Sequence, residues 1–132
     1  MRVNRSTFGR LFFGLALFCF PLFAHDLFAH HGGTAFDISR TLTLKGTIVK
    51  LDFVNPHTRI LVDVVGDKGN VVHWTLETHS PVSLIRVGWT RNSLKPGDPV
   101  TMIISPAKNG LPVGALVKMI LANGQELTPV AK

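Results

Sequence analysis

"TRILVDVVGDKGNVVHWTLE", residues 58–77, decides the fold. In its first half Ile60, Val62 and Val64 share one face of an extended chain, while Arg59, Leu61 and Asp63 share the other. In its second half Val72, Trp74 and Leu76 alternate with His73, Thr75 and Glu77. Strand side chains point to opposite faces with a period of two, so 58–65 and 71–77 read as strands joined by the hairpin loop "GDKGN" (66–70). Both apolar sets must face one core, which admits only registers that pair odd with odd positions. With a five-residue loop, Asp63 falls opposite His73, Arg59 opposite Glu77, and His57 opposite His79. A three-residue loop would shift the partners by two positions and leave them on the same face.

On the N-terminal side, "TLTLKGTIVKLDFV" (41–54) alternates first through Leu42 and Leu44, then through Val49, Leu51 and Phe53. The change of phase predicts a long strand with a bulge or bend at Gly46. "NPH" (55–57) is a turn. On the C-terminal side, Ser80 supplies a capping hydroxyl before Pro81, predicting a short helix from Pro81 to Val87 closed by Gly88. "LKPGD" (94–98) is a turn, "PVTMIIS" (99–105) a fourth strand, "PAKNGLP" a loop and "GALVKMILA" (114–122) a fifth strand. "NGQ" (123–125) turns into a short tail strand through Leu127. Three strands, a short helix and two strands make an all-β domain of the OB-like five-stranded barrel type. A twisted meander packed as a small sandwich is the competing architecture.

The start of the chain has a different character. Arg2, Arg5 and Arg10 precede an unbroken apolar run from Leu11 to Phe20, then Pro21. That run is short for a bilayer span, which takes roughly 20 residues, and it has the form of a secretory signal peptide. "LFAHDLFAHH" (22–31) offers Leu-x-Ala exits after Ala24 and after Ala29; the later one is preferred, giving a leader of 1–29 and a domain of 30–132. Cleavage would place the protein in the periplasm or outside the cell, with no stable membrane anchor, and would remove Cys19, the sole cysteine. Disulfides, thiolate metal sites and cysteine nucleophiles are then excluded. The remaining 11 basic and 7 acidic residues give a net charge of +4, with the basic residues spread singly. No patch or arm points to nucleic acid.

No catalytic constellation is present. There is no Gly-x-Ser-x-Gly elbow, no glycine-rich phosphate loop after a strand, and no convergent pair among the scattered acids. The reading is therefore a non-catalytic binding module that engages an envelope protein, a peptide or a glycan. Its candidate ligand-binding residues are Asn55, His57, Arg59, Glu77 and Trp89. Each has a plainer alternative: Arg59 with Glu77 as a surface ion pair worth under ~1 kcal/mol, His57 as a turn residue, Trp89 as a plug of the barrel end. Trp74, Met102 and Met119 read as core. No cofactor is expected in this reading. In the alternative, an amino-terminal His30 chelates Cu(II) or zinc through its α-amine and Nδ1, with either the adjacent His31 or His57 and His79 across the sheet completing the shell and Glu77 nearby. Otherwise His30 and His31 simply begin a frayed tail.

The succession "AHH" (29–31), "FD" (36–37), "LKGTI" (44–48), "NPH" (55–57), Trp74 with Glu77, "SP" (80–81), "RVGWT" (86–90), "LKPGD" (94–98), "PAKNG" (106–110) and "ANGQEL" (122–127) resembles a family of small exported bacterial proteins of unknown function. The resemblance spans the mature chain and implies its fold and location, but no reaction. Members usually read His-His-Ser-Phe after the leader, where this chain has His30-His31-Gly32-Gly33, and lack a counterpart of His79. His31 and His57 fit the pattern.

Overall fold

A computed structural model of the chain describes residues 35–131. The expected leader, both cleavage sites, Cys19, His30 and His31 lie outside them. The hairpin at its centre forms in the register that the alternation requires. β2 (Arg59–Val65) and β3 (Val71–Glu77) are antiparallel, with Arg59 opposite Glu77 and Asp63 opposite His73. Ile60, Val62 and Leu76 are buried, and Trp74 packs against the same core. Full burial of each such aliphatic side chain is worth about 1.5–3 kcal/mol relative to exposure.

β1 (Leu42–Asp52) serves both halves of the barrel. Its first part pairs with β4 (Pro99–Pro106), from Leu42 opposite Ile104 to Thr47 opposite Pro99, and its second part pairs with β2, from Thr47 opposite Asp63 to Asp52 opposite Arg59. β5 (Val113–Leu121) lies antiparallel to β4, and the short β6 (Glu126–Leu127) to the end of β5. A parallel seam between Thr75–Glu77 of β3 and Val113–Ala115 of β5 closes the barrel. Five strands thus form a closed, mixed barrel with one short helix, the architecture expected, and β6 adds a flap at its margin. Closure leaves few strand edges open.

The bulge in β1 is displaced from its expected place. The register with β2 shifts between Ile48 and Lys50, so the extra residue is Val49. Inward positions run Leu42, Leu44, Gly46, Ile48 before it and Leu51, Phe53 after it, and Val49 itself faces solvent. Gly46 has another role. A Cβ there would meet the Asp63 carbonyl oxygen at 2.6 Å and Val62 Cγ1 at 2.7 Å, so the strand can cross so close to β2 only without a side chain. β5 carries a second irregularity, where Val117 is skipped in the pairing with β4 and likewise faces out. Bulges of this kind sharpen the local bend that a small barrel needs.

One end of the barrel is plugged. Ser80 caps α1 (Pro81–Arg86), its hydroxyl accepting from the Ser83 amide, and Gly88 follows the helix at φ 92°, the left-handed region that glycine tolerates. Leu84 of the helix and Trp89 after it enter the core. Trp89 is 1 % exposed and its Nε1–H donates to the Thr128 carbonyl at 2.9 Å. Met102 and Met119 are core residues, as expected.

Candidate functional site

The candidate residues converge where the β3–β5 seam meets the turn between β1 and β2. The Asn55–Pro56 peptide is cis, and His57 leaves the turn with its Nδ1–H donating to the Thr78 carbonyl at 3.3 Å. Because a carbonyl only accepts, Nδ1 is the donor in this bond. The hairpin pairing continues beyond Arg59 through the Thr58 amide to the His79 carbonyl (3.1 Å) and the Thr78 amide to the Thr58 carbonyl (3.0 Å). His57, Arg59 and Glu77 are thereby held on one outer surface.

Asn55, His57, Arg59 and Glu77, with Val54 and Pro56, line one depression of about 290 Å³. A second depression of about 240 Å³ adjoins it on the β5 side, lined by Phe36, Thr78, His79, Ser80, Ala115 and Leu116. His57 and Glu77 border both and so form the ridge between them. Glu77 holds this place because it is the last paired residue of β3, with Arg59 opposite on β2 and Ala115 opposite on β5.

Trp89 is the exception among the candidates. With its ring in the core and its N–H bonded to Thr128, it offers solvent no contact surface; the plug reading is the one its burial supports. The neighbouring loop does reach the turn. Arg91 donates to the Phe53 carbonyl at 3.2 Å and stacks its guanidinium 5.6 Å from the centre of the Phe53 ring.

The charges pair differently from the simple cross-strand expectation. Arg59, 55 % exposed, leans to Asp52 of β1 with Nη2 3.8 Å from Oδ2, and Lys50 Nζ lies 2.6 Å from the other oxygen of Asp52. Among the described residues Glu77 makes no ion pair within 4.0 Å, although its Cα partner is Arg59. The other expected pair forms: His73 donates from Nδ1 to Asp63 at 2.6 Å, at an exposed position where such pairs are worth about 1 kcal/mol or less.

Sequence reasoning missed three residues here. Phe36 bridges to Ala107, with Asp37 donating to the Pro106 carbonyl and Lys108 to that of Ala35, and this edge swings the Phe36 ring onto the second depression. The signal was an isolated aromatic in a polar stretch. Thr58 and Thr78 are buried, 0 % and 7 % exposed, and their hydroxyls have no hydrogen-bond partner among the described residues. Their even numbers continue the inward parity of β2 and β3 by one residue beyond each strand, a signal visible in the alternation of 58–78.

Asp37 anchors the Phe36 edge. The Ser39 hydroxyl donates to its carboxylate at 2.6 Å, the Ser39 amide at 3.2 Å, and Arg40 Nε stands 3.1 Å away. These partners, the Ser39 hydroxyl first, hold the Asp37 carboxyl below its ordinary value of 3.8. Among the described residues no three His, Cys, Asp or Glu side chains are grouped to hold a metal ion, so His57, Glu77 and His79 do not form a metal site by themselves.

The sequence model of a protein family, described as a family of unknown function (DUF6152), matches residues 20–116. No curated protein and no solved structure matches the chain.

Proposed function

The chain belongs to the DUF6152 family of unknown function, and we propose that it is an exported, non-catalytic binding module that takes a peptide segment at the β2–β3 mouth of its barrel. One observation carries this reading: four residues singled out for their chemistry, Asn55, His57, Arg59 and Glu77, line a single depression. They offer an amide, an imidazole, a cation and an anion within one concavity, the mix that reads a peptide backbone with its charged ends or side chains. A peptide is favoured over a glycan or a nucleic acid because Phe36, Phe53 and Trp89 are buried and Trp74 packs against the core. Bases are held on exposed ring faces, and a sugar ring favours the same kind of platform. The basic head and apolar run of residues 2–20 support export to the periplasm or beyond.

The test is an amide-resonance titration of the exported chain with a peptide panel and with oligosaccharides. Shifts confined to 54–59 and 77–80 and reduced in Arg59→Ala are expected; shifts only with sugars, or none near these residues, would reject the proposal.

A second reading, a copper(II) or zinc carrier, is favoured by the position of Phe36. It lines the same depression as His57 and His79, and the five steps of chain from His31 to Phe36 bound the separation of their Cα atoms at roughly 17 Å. Titration of the exported form with Cu(II) tests it. Tight binding lost both in His57→Ala and when one extra residue precedes His30 is the expected result for the carrier.

A further inference from the structure

Glu77 is half-buried, and among the described residues it has no cation within ion-pair distance. Its natural partner, Arg59, is drawn toward Asp52 on the opposite neighbouring strand. Partial desolvation of a carboxylate costs free energy that a charged donor restores. Thr78 stands next along the wall, and its hydroxyl, like that of Thr58, is buried with no partner among the described residues. Directly beside them lies the hollow formed by Phe36, Ala115 and Leu116, large enough for an aliphatic side chain.

A carboxylate with no cation beside it among the described residues, next to an apolar hollow, is complementary to a cation next to an apolar group. We infer that the site takes the free amino terminus of a peptide whose first residue is apolar. The α-ammonium donates to Glu77, the first side chain enters the hollow at Phe36 and Leu116, and the chain continues over His57 toward Asn55 and Arg59 in the adjoining depression. A lysine ammonium is a poorer match, since it sits at the end of an unbranched stem with no apolar branch beside the charge. An α-ammonium is one carbon away from its own side chain. This inference rests on the peptide reading and narrows it to one end of the peptide; amine capture of this kind is an established recognition mode.

Isothermal titration of the full exported chain decides it, with the pentapeptide Leu-Ala-Ser-Ala-Gly and its N-acetylated twin as probes. Acetylation removes the charge and is expected to weaken binding by roughly 10- to 100-fold. Glu77→Gln should abolish the difference between the two peptides, and Glu77→Asp should retain part of it. Unchanged unfolding temperatures in both variants would show that the fold is intact. Affinity for the free peptide should also decline as pH rises past about 8, where α-amines lose their proton. Equal affinity for the two peptides in the wild type would overturn the amino-terminal assignment and leave peptide binding standing. If neither peptide binds at any accessible concentration, the peptide reading falls, and the inference with it.

Discussion

The plugged end of the barrel and the mouth beside the β2–β3 pair are built from adjacent pieces of chain, yet they treat polar groups in opposite ways. At the plug, Trp89 is buried and its single donor is bonded to Thr128, while the helix start is capped by Ser80 and its end by Gly88. At the mouth, two buried threonine hydroxyls lack partners among the described residues and a half-buried glutamate lacks a cation. Stability rewards the first arrangement, because an unsatisfied buried donor or acceptor costs about 1–3 kcal/mol. Of these groups Glu77, which borders both depressions, is the one a ligand can reach.

The sharpest way to break the comparison is at the plug. Trp89→Ala removes the largest fully buried side chain and strands the Thr128 carbonyl. It should cost about 3–5 kcal/mol in denaturant unfolding, enough to leave a domain of this size marginal. If the loss were under about 1 kcal/mol, the plug would not be the structural anchor of the barrel. Gly46→Ala comes next. The added Cβ collides with the Asp63 carbonyl and with Val62, and Met102 Cε is 3.2 Å away on a third strand, so a cost of about 1–3 kcal/mol is expected from forced shifts in a packed wall. An unchanged midpoint would show that β1 and β2 can part there without penalty.

The mouth should respond in the opposite sense. Arg59→Ala removes an exposed cation whose contact with Asp52 is long, at 3.8 Å. Its effect on unfolding should stay within about 0.5 kcal/mol, while peptide binding weakens. A stability loss as large as that at the plug would make Arg59 a structural residue and erase the distinction between the two regions.

The same contrast explains what could be read from the residues in advance. The hairpin register was legible because a one-position slip would turn Ile60, Val62 and Leu76 out of the core, and the convergence of His57, Arg59 and Glu77 on one face followed from it. The site of the β1 bulge was not. Alternation shows that parity changes somewhere between Leu44 and Leu51, and glycine is the residue a bulge most readily takes, but the residue left unpaired is Val49, while Gly46 answers to the close approach of β2. The bulge also explains the charge pairing. It brings Asp52 level with Arg59 on β1, a competitor to Glu77 that two-strand reasoning does not contain. For Trp89 the residues leave open a contact or a plug of the barrel end; the plug is what forms, and the partner of its N–H is a carbonyl 39 positions later in the tail, which local sequence does not reveal.

The smallest expected effect concerns the strap that brings Phe36 to the mouth. Asp37 is held as a carboxylate chiefly by the Ser39 hydroxyl, so its folded value lies below the ordinary 3.8. A group whose value is depressed on folding adds stability above its unfolded value and loses that contribution as pH falls through the folded one. The difference in stability between wild type and Asp37→Asn should therefore be constant from neutral pH down to about pH 5 and shrink below 3.8. The group is at the surface and the effect on global unfolding should be slight, so the better readout is local: hydrogen exchange at the Asp37 amide, which donates to Pro106, and at that of Lys108, which donates to Ala35. Faster exchange at these two amides in the variant, with Trp89 Nε1–H unchanged, would show that the strap opens independently of the plug. Equal acceleration at both would mean that mouth and plug unfold as one unit, and that the freedom of the mouth is not separable from the rigidity of the barrel.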